Sequence, residues 1–250
     1  MRFIELEVLF KNKIGNKILY FEETNSTNLY AKKIASQNEI GTIVIADYQT
    51  NGYGKHQRKW FSEKGKNLTF SIILSQKKLK LELLPFLFSV AIIEVLKQNF
   101  IGDFICKWPN DILLNEKKIC GTLIETVSKN GKIEFVIVGI GLNVNQKKFS
   151  NEISEIATSL SNELNLEIDR VEFFKNLIQN INFRYENFLN NYNNTIEIWK
   201  SYSDICGKKI TLSQNGVTLE GTAIDVNPNG ELVVNINNKI KNFSSVDYIK

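Results

Sequence analysis

The chain has 250 residues, 43% hydrophobic and 23% charged, an ordinary balance for a globular protein and enough to bury one good core with a small appended module. Its 31 basic and 27 acidic residues leave a formal charge of +4, too small and too evenly spread an excess to mark a nucleic-acid protein. Three scattered cysteines, Cys106, Cys120 and Cys206, argue against a disulfide framework, and the single histidine, His56, excludes a His-rich zinc site.

Acids at Glu5 and Glu7 stand where a signal peptide would be apolar. The longest apolar stretch, Leu83 to Leu96, contains Pro85, Ser89 and Glu94 and is too short to span a bilayer. The expectation is a soluble, cytoplasmic protein with no membrane association.

In chain order, residues 17–22 read as a strand. Ser26 or Thr27 then caps a helix from Asn28 to Ser36, with Leu29, Ala31, Ile34 and Ala35 toward the core. Thr42–Asp47 is a buried strand, followed by an aperiodic polar stretch from Tyr48 to Lys66, long enough to suggest function. Leu68–Leu74 is a strand and Leu83–Asn99 a helix. Ile105–Trp108 and Asp111–Leu114 flank Pro109-Asn110. Ile119–Thr126 and Glu134–Val144 form a hairpin around Asn130-Gly131.

Ile153–Glu163 and Val171–Asn190 have helical spacing, the second supplied with Phe173, Phe174, Leu177, Ile178, Ile181, Phe183, Tyr185 and Phe188. Beyond Gly207 come four short strands, Lys209–Leu212, Thr218–Val226, Glu231–Ile236 and Lys239–Phe243. Asn215-Gly216, Asn229-Gly230 and Asn237-Asn238 separate them. The boundary is placed near Ile205, dividing the chain into residues 1–204 and a small β module, 205–250.

The segment Gln49 to Trp60 is the most informative. Gly52 and Gly54 permit close approach of backbone to a ligand, and Lys55, Arg58 and Lys59 suit a phosphate or carboxylate. His56 follows Lys55 where a Walker loop would have Ser or Thr. On charge alone a solvated basic loop is the plainer reading; Gln49 and Trp60, framing the glycines directly after a buried strand, favour a site. Lys107-Trp108-Pro109-Asn110-Asp111 is a second dense cluster, able to hold a cation or nucleotide, or simply to turn. Lys118 enters an apolar strand, where a lysine often only snorkels. Gly139-Ile140-Gly141 begins like a dinucleotide fingerprint but lacks its third glycine and its helix. Strand glycines there permit a ligand to lie against the backbone instead.

Taken in order, Ser26-Thr27-Asn28, Gln-x-x-Gly-x-Gly from Gln49 through to Trp60, Lys-Trp-Pro-Asn-Asp, Lys-x-x-Gly-x-Leu-x-Glu from Lys118 to Glu125, and Gly-x-Gly-x-Asn ending at Asn143 resemble the biotin–protein ligase family over residues 20–145. The resemblance implies an α+β fold: a mixed central sheet with flanking helices, like a class II aminoacyl-tRNA synthetase, plus a small C-terminal SH3-like β-barrel. It implies ATP-dependent formation of biotinyl-5′-AMP with Mg²⁺, then transfer of biotin to a lysine of a biotin carboxyl carrier protein.

By the same resemblance Ser26, Thr27, Asn28, Gln49, Gly52, Tyr53, Gly54, Lys55, Lys118, Gly121, Leu123, Gly139 and Gly141 would hold biotin. Arg58, Trp60, Asn110, Asp111 and Asn143 would serve ATP, Asp111 the metal, and Lys118, Lys55 and Arg58 catalysis. Tyr53, Lys55 and Gln57 depart from the family's usual Gly-Arg-Gly-Arg-x-Gly-Arg loop, and a lysine lacks arginine's bidentate fork. Alternatives are a lipoate–protein ligase and a biotin-binding homologue without catalysis. A DNA-binding sensor fits poorly, because the 25 residues before Ser26 are too few for a helix-turn-helix domain. Partners are expected to exclude DNA, and the protein to be a monomer or homodimer.

Overall fold

The structure is a computed structural model that describes residues 2–77, 79–214 and 216–249. Its strands and helices, in order, are β1 Ile18–Phe21, α1 Thr27–Ile34, β2 Ile43–Ala46, β3 Leu68–Ser75, α2 Leu84–Asn99, β4 Phe104–Lys107, β5 Asp111–Leu114, β6 Lys117–Lys129, β7 Lys132–Leu142, α3 Leu160–Leu164, α4 Arg170–Asn190 and α5 Thr195–Lys200. After them come β8 Lys209–Gln214, β9 Val217–Val226, β10 Leu232–Ile236, β11 Lys239–Phe243 and β12 Tyr248–Ile249.

The first seven strands make one mixed sheet, ordered β1-β2-β3-β7-β6-β5-β4. Only β1 and β2 run parallel; the other pairs are antiparallel. Strand side chains alternate between faces. On β7, Val138, Ile140 and Leu142 enter the main core beneath α2 and α4. Helix α2 is apolar on nearly every side and buried from Leu84 to Leu96, as a helix between other layers must be. Phe70 and Phe3 both meet the Phe174 ring edge-on, at 5.1 and 5.3 Å.

The opposite face is only partly covered. Helix α1 packs Ala31 and Ile34, with the following Ala35, on Val44, Ile73 and Ile137. Further along, that same face presents Ser71 and Thr69 of β3, Gly139 and Gly141 of β7, and Gly121 and Leu123 of β6 in adjacent register. Small residues there leave a shallow slot beyond the first turn of α1, bordered by Asn28 against Gly139 and Trp60 against Gly141.

Strands β8–β12 form a five-stranded antiparallel sheet, ordered β11-β10-β9-β8-β12. It joins the main core without a gap. The Trp108 indole donates to the Gly230 carbonyl at 3.0 Å, and Phe86, packed edge-on to Trp199 at 5.1 Å, lies against Gly230. The hairpin turn at Asn130-Gly131 has both residues at positive φ, 51° and 75°, the geometry that Asn-Gly accommodates. In the expected turn Asn215-Gly216, Asn215 lies outside the described residues.

Three expectations are corrected. Ile153–Glu163 is not one helix: the Lys118 amide donates to Ile156 O and the Thr158 amide to Lys118 O, so pairing with β6 takes backbone groups a helix would need. Only Leu160–Leu164 is helical, started by the Ser159 hydroxyl. Leu29 is 42% exposed, because the helix turns Thr27, Asn28, Ala31 and Ile34 inward. Phe183 of α4 faces outward and is largely exposed. Also unforeseen were a 3₁₀ segment Phe3–Leu9 that buries Phe3 and Leu6, α5, which buries Ile196 and Trp199, and β12, which pairs with β8 as a fifth C-terminal strand.

Candidate active site

The slot on the α1 face has a polar end built by the start of that helix. Ser26, extended at φ −157°, caps α1 and leaves Thr27 and Asn28 pointing at the sheet. The Thr27 amide and hydroxyl donate to Gln49 Oε1 at 2.7 and 3.0 Å. The Ser71 hydroxyl stands 2.7 Å from Thr27 Oγ1 and 2.6 Å from Asn28 Oδ1. Asn28 in turn donates to Glu125 Oε2 at 2.7 Å. All four of Thr27, Asn28, Gln49 and Ser71 are buried, so this network is dry and directional.

The loop after β2 folds back as a narrow hairpin. The Trp60 amide donates to Gly52 O at 2.9 Å and the Gly54 amide to Arg58 O at 2.7 Å. Its tip puts His56 and Gln57 in the left-handed region, φ 56° and 59°, which costs non-glycine residues energy. The tip also reaches the C-terminal sheet: Arg58 Nη2 donates to the Asp247 carbonyl, and His56 Nε2 lies 3.4 Å from Val246 O. Burial lowers the Lys55 ammonium from its usual pKa and Arg58 adds to this, while Asp111 and Asp247 oppose it. The Tyr53 hydroxyl donates to Glu125 Oε2 at 2.9 Å.

The floor needs its glycines. A Cβ on Gly139 would stand 2.3 Å from Asn28 Oδ1, and one on Gly141 would stand 2.4 Å from the Trp60 ring. Trp60 therefore packs directly against the β7 backbone at Gly141, its indole N–H buried and without a hydrogen-bond partner. At the cationic end Lys118 Nζ is 2.7 Å from Asp111 Oδ1 and 5.8 Å from the Trp60 ring centroid. Gly121 makes room for it, since a Cβ there would come within 3.1 Å of that ammonium.

Ser26, Thr27, Asn28, Gln49, Gly52, Tyr53, Trp60, Asp111, Lys118, Gly121, Gly139 and Gly141 are thus gathered on one face. Lys55, Asn110 and Leu123 border a cavity of about 270 Å³ that extends to the turns at Asn229-Gly230 and Ser244-Ser245. Asn110 is engaged with Thr122 O at 2.6 Å. Asn143 is buried, donating to Thr158 O at 2.9 Å, with the Asn67 amide 3.4 Å from its Oδ1. Its side chain ties β7 to the segment before α3.

Sequence reasoning left Glu125, Lys32 and Ser71 without roles. Ser71, a hydroxyl inside the buried run Leu68–Leu74, was a readable signal, as was Lys32, one helical turn beyond Asn28. Glu125 ended a quoted motif but carried no spacing that announced its partners.

The bifunctional ligase/repressor BirA of Bacillus subtilis is 33% identical over 97% of this chain and 78% of its own length. The model of the biotin/lipoate A/B protein ligase family matches residues 20–143. The chain belongs to this family. A biotin–[acetyl-CoA-carboxylase] ligase of Mycobacterium tuberculosis is 25% identical, across 91% of this chain and 86% of that one. Among solved structures, the family member from Aquifex aeolicus, a biotin protein ligase in complex with biotin and ATP, aligns with TM-score 0.83 at 28% identity. That alignment covers 94% of this chain and 98% of that one. The mixed seven-stranded sheet is therefore this family's architecture, and the match extends over the C-terminal sheet.

Proposed function

We propose that the protein is an ATP-dependent biotin–protein ligase. It forms biotinyl-5′-AMP from biotin and ATP and then transfers the biotinyl group to a lysine of a biotin carboxyl carrier protein. The observation that carries this reading is the Lys118–Asp111 pair, 2.7 Å apart, standing beside a glycine-floored slot whose far end is a dry hydrogen-bonding network. Biotin has the matching shape, an apolar bicycle with a polar ureido edge and a carboxylate on a flexible tail. The names of the M. tuberculosis and A. aeolicus proteins favour biotin over lipoate.

In the first step a carboxylate oxygen bonds to the α-phosphorus and the bond to pyrophosphate breaks. Two anions are brought together, so fixed positive charge has to offset their repulsion. Lys118 supplies it at the slot, and Lys55 and Arg58 supply it from the hairpin tip. Ser26, Thr27, Asn28 and Gln49 orient the ring, while Trp60, Asn110, Asp111 and Asn143 serve the nucleotide. In the second step the carrier's amine attacks the acyl carbon and AMP departs, with the hairpin keeping water from the mixed anhydride.

Among the described residues no three His, Cys, Asp or Glu side chains cluster as a metal cage. A lone carboxylate such as Asp111 fits Mg²⁺, which keeps several waters and binds through one or two carboxylates plus phosphates. Mg²⁺ would supply electrostatic stabilisation of the phosphates. In this reading residues 1–204 carry the slot and 205–250 support the hairpin tip. The protein works in the cytoplasm, in keeping with three unpaired thiols and with the lack, among the described residues, of any helix able to cross a membrane.

The test is biotin-dependent exchange between pyrophosphate and ATP, with lipoate as the parallel substrate. Exchange with biotin, abolished by EDTA, is expected. Exchange with lipoate alone, or full activity in EDTA, would overturn the proposal.

A further inference from the structure

Among the described residues, Glu125 is the carboxylate on the slot's face that gathers donors from two separate elements. It stands on β6 opposite Ile137 of β7, on the same face as Gly121 and Leu123. Lys32 Nζ lies 2.5 Å from its Oε1, and Asn28 Nδ2 and Tyr53 OH lie 2.7 and 2.9 Å from its Oε2. Two of these donors belong to α1 and the third to the glycine hairpin. Its side chain is 20% exposed, and that of Lys32 29%. A carboxylate this sheltered needs a matched cation and satisfied oxygens, and Lys32, Asn28 and Tyr53 provide both.

We infer that Glu125 is a positioning residue, a latch that holds the hairpin Gly52–Trp60 closed over the slot through Tyr53 and sets Asn28 at its polar end. The inference rests on the ligase reading for what the slot holds. The hairpin base is pinned on both of its strands. Trp60 is trapped against Gly141 on one strand, and Tyr53 is tied to Glu125 on the other, with Gly52 O and Trp60 N bonded between them at 2.9 Å. The tip, Lys55 to Arg58, is held separately, by Arg58 Nη2 on the Asp247 carbonyl. Burial, and then the Glu125 carboxylate, push the Tyr53 phenol well above its usual pKa, so it stays a donor throughout the physiological range. Lys32 cancels the Glu125 charge, so the latch adds no net negative potential where a carboxylate and phosphates must sit.

The same carboxylate fixes which way the Asn28 amide points. With Nδ2 committed to Glu125, Oδ1 faces Ser71 and the floor at Gly139. The slot therefore presents an acceptor there, which suits a ligand ring carrying N–H groups. A dithiolane ring, which has none, gains nothing from it. Glu125 thus contributes to selectivity as well as to closure.

The variants are Tyr53→Phe and Glu125→Ala, singly and together, with thermal unfolding as the check on folding. Losing a hydrogen bond to a charged group corresponds to about a tenfold or larger effect. In the ligand-free protein the Gly54 and Trp60 amides of Tyr53→Phe should exchange about tenfold faster. KM for biotin should rise about tenfold, with KM for ATP and kcat affected less, and biotinyl-adenylate should leak faster. The double variant should be no worse than Glu125→Ala alone, because both changes remove the same contact. Unchanged amide exchange and unchanged KM for biotin in Tyr53→Phe would overturn the latch, as would fully additive losses. If the wild-type protein itself shows no biotin-dependent exchange, the ligase reading fails, and the amide-exchange arm still decides whether the latch exists.

Discussion

Replacing Lys118 by alanine separates what holds the protein together from what drives the reaction. The Lys118 and Asp111 side chains are 33% and 25% exposed, so their 2.7 Å contact is partly solvated and contributes about 1 kcal/mol at most. The backbone at 118 is held separately, by Lys118 N to Ile156 O and Thr158 N to Lys118 O, bonds that survive the substitution. For a chain of this length, about 1 kcal/mol corresponds to a fall of roughly 2–4 °C in Tm. Turnover should respond on a different scale. Removing one positioned electrostatic group costs on the order of 10²–10³ in rate, about 2.7–4 kcal/mol of the barrier. Lys118→Ala should therefore lose almost all biotin-dependent pyrophosphate–ATP exchange while unfolding only a few degrees early. Asp111→Asn, which keeps the ammonium, should lose less exchange at saturating Mg²⁺ than Lys118→Ala does. Exchange within about threefold of wild type in a folded Lys118→Ala protein would refute the electrostatic argument. Lys107, at the end of β4 and in register with Asp111, would then become the candidate cation.

Three further outcomes follow from individual contacts. Gly139→Ala forces a Cβ onto Asn28 Oδ1. It should cost about 1–3 kcal/mol in chemical denaturation and raise KM for biotin, because Asn28 is held by Ser71 and Glu125 and cannot step aside. The lowered Lys55 pKa means that its burial opposes folding fully at pH values below the folded pKa, and the penalty fades as pH rises toward the ordinary value of 10.5. Lys55→Met should accordingly raise Tm at pH 7, with the gain shrinking toward pH 10, while biotinyl-adenylate escapes faster. Trp108→Phe leaves the Gly230 carbonyl without its buried donor and should lower stability by about 1–3 kcal/mol. Calorimetry should still show one transition, since the two sheets share a core.

Local chemistry was legible in the residues themselves. Ser26 ahead of an amphipathic run foretold a helix start, and Asn130-Gly131 between two β-prone segments foretold a tight hairpin, because both depend on neighbours in sequence. The order of motifs from Ser26 to Asn143 was enough to indicate the family, and the structure gathers most of those positions on one face of the sheet. The failures share a cause. Ile153–Glu163 has helical spacing, yet Lys118, 35 or more residues earlier, captures its backbone. Leu29 looked like core because periodicity states which residues share a stripe and not which stripe meets the sheet.

The sequence by itself determined most element types, the glycine-bearing loop and the residues able to carry charge, since these follow from backbone sterics, apolar period and side-chain chemistry along the chain. Tertiary structure alone decided that Glu125 would meet Asn28, Lys32 and Tyr53, separated from it by 97, 93 and 72 positions. It alone placed Trp60 over Gly141 and Arg58 on the Asp247 carbonyl. Those contacts depend on strand order and on which sheet face each residue turns to, and both are settled only when the whole core packs.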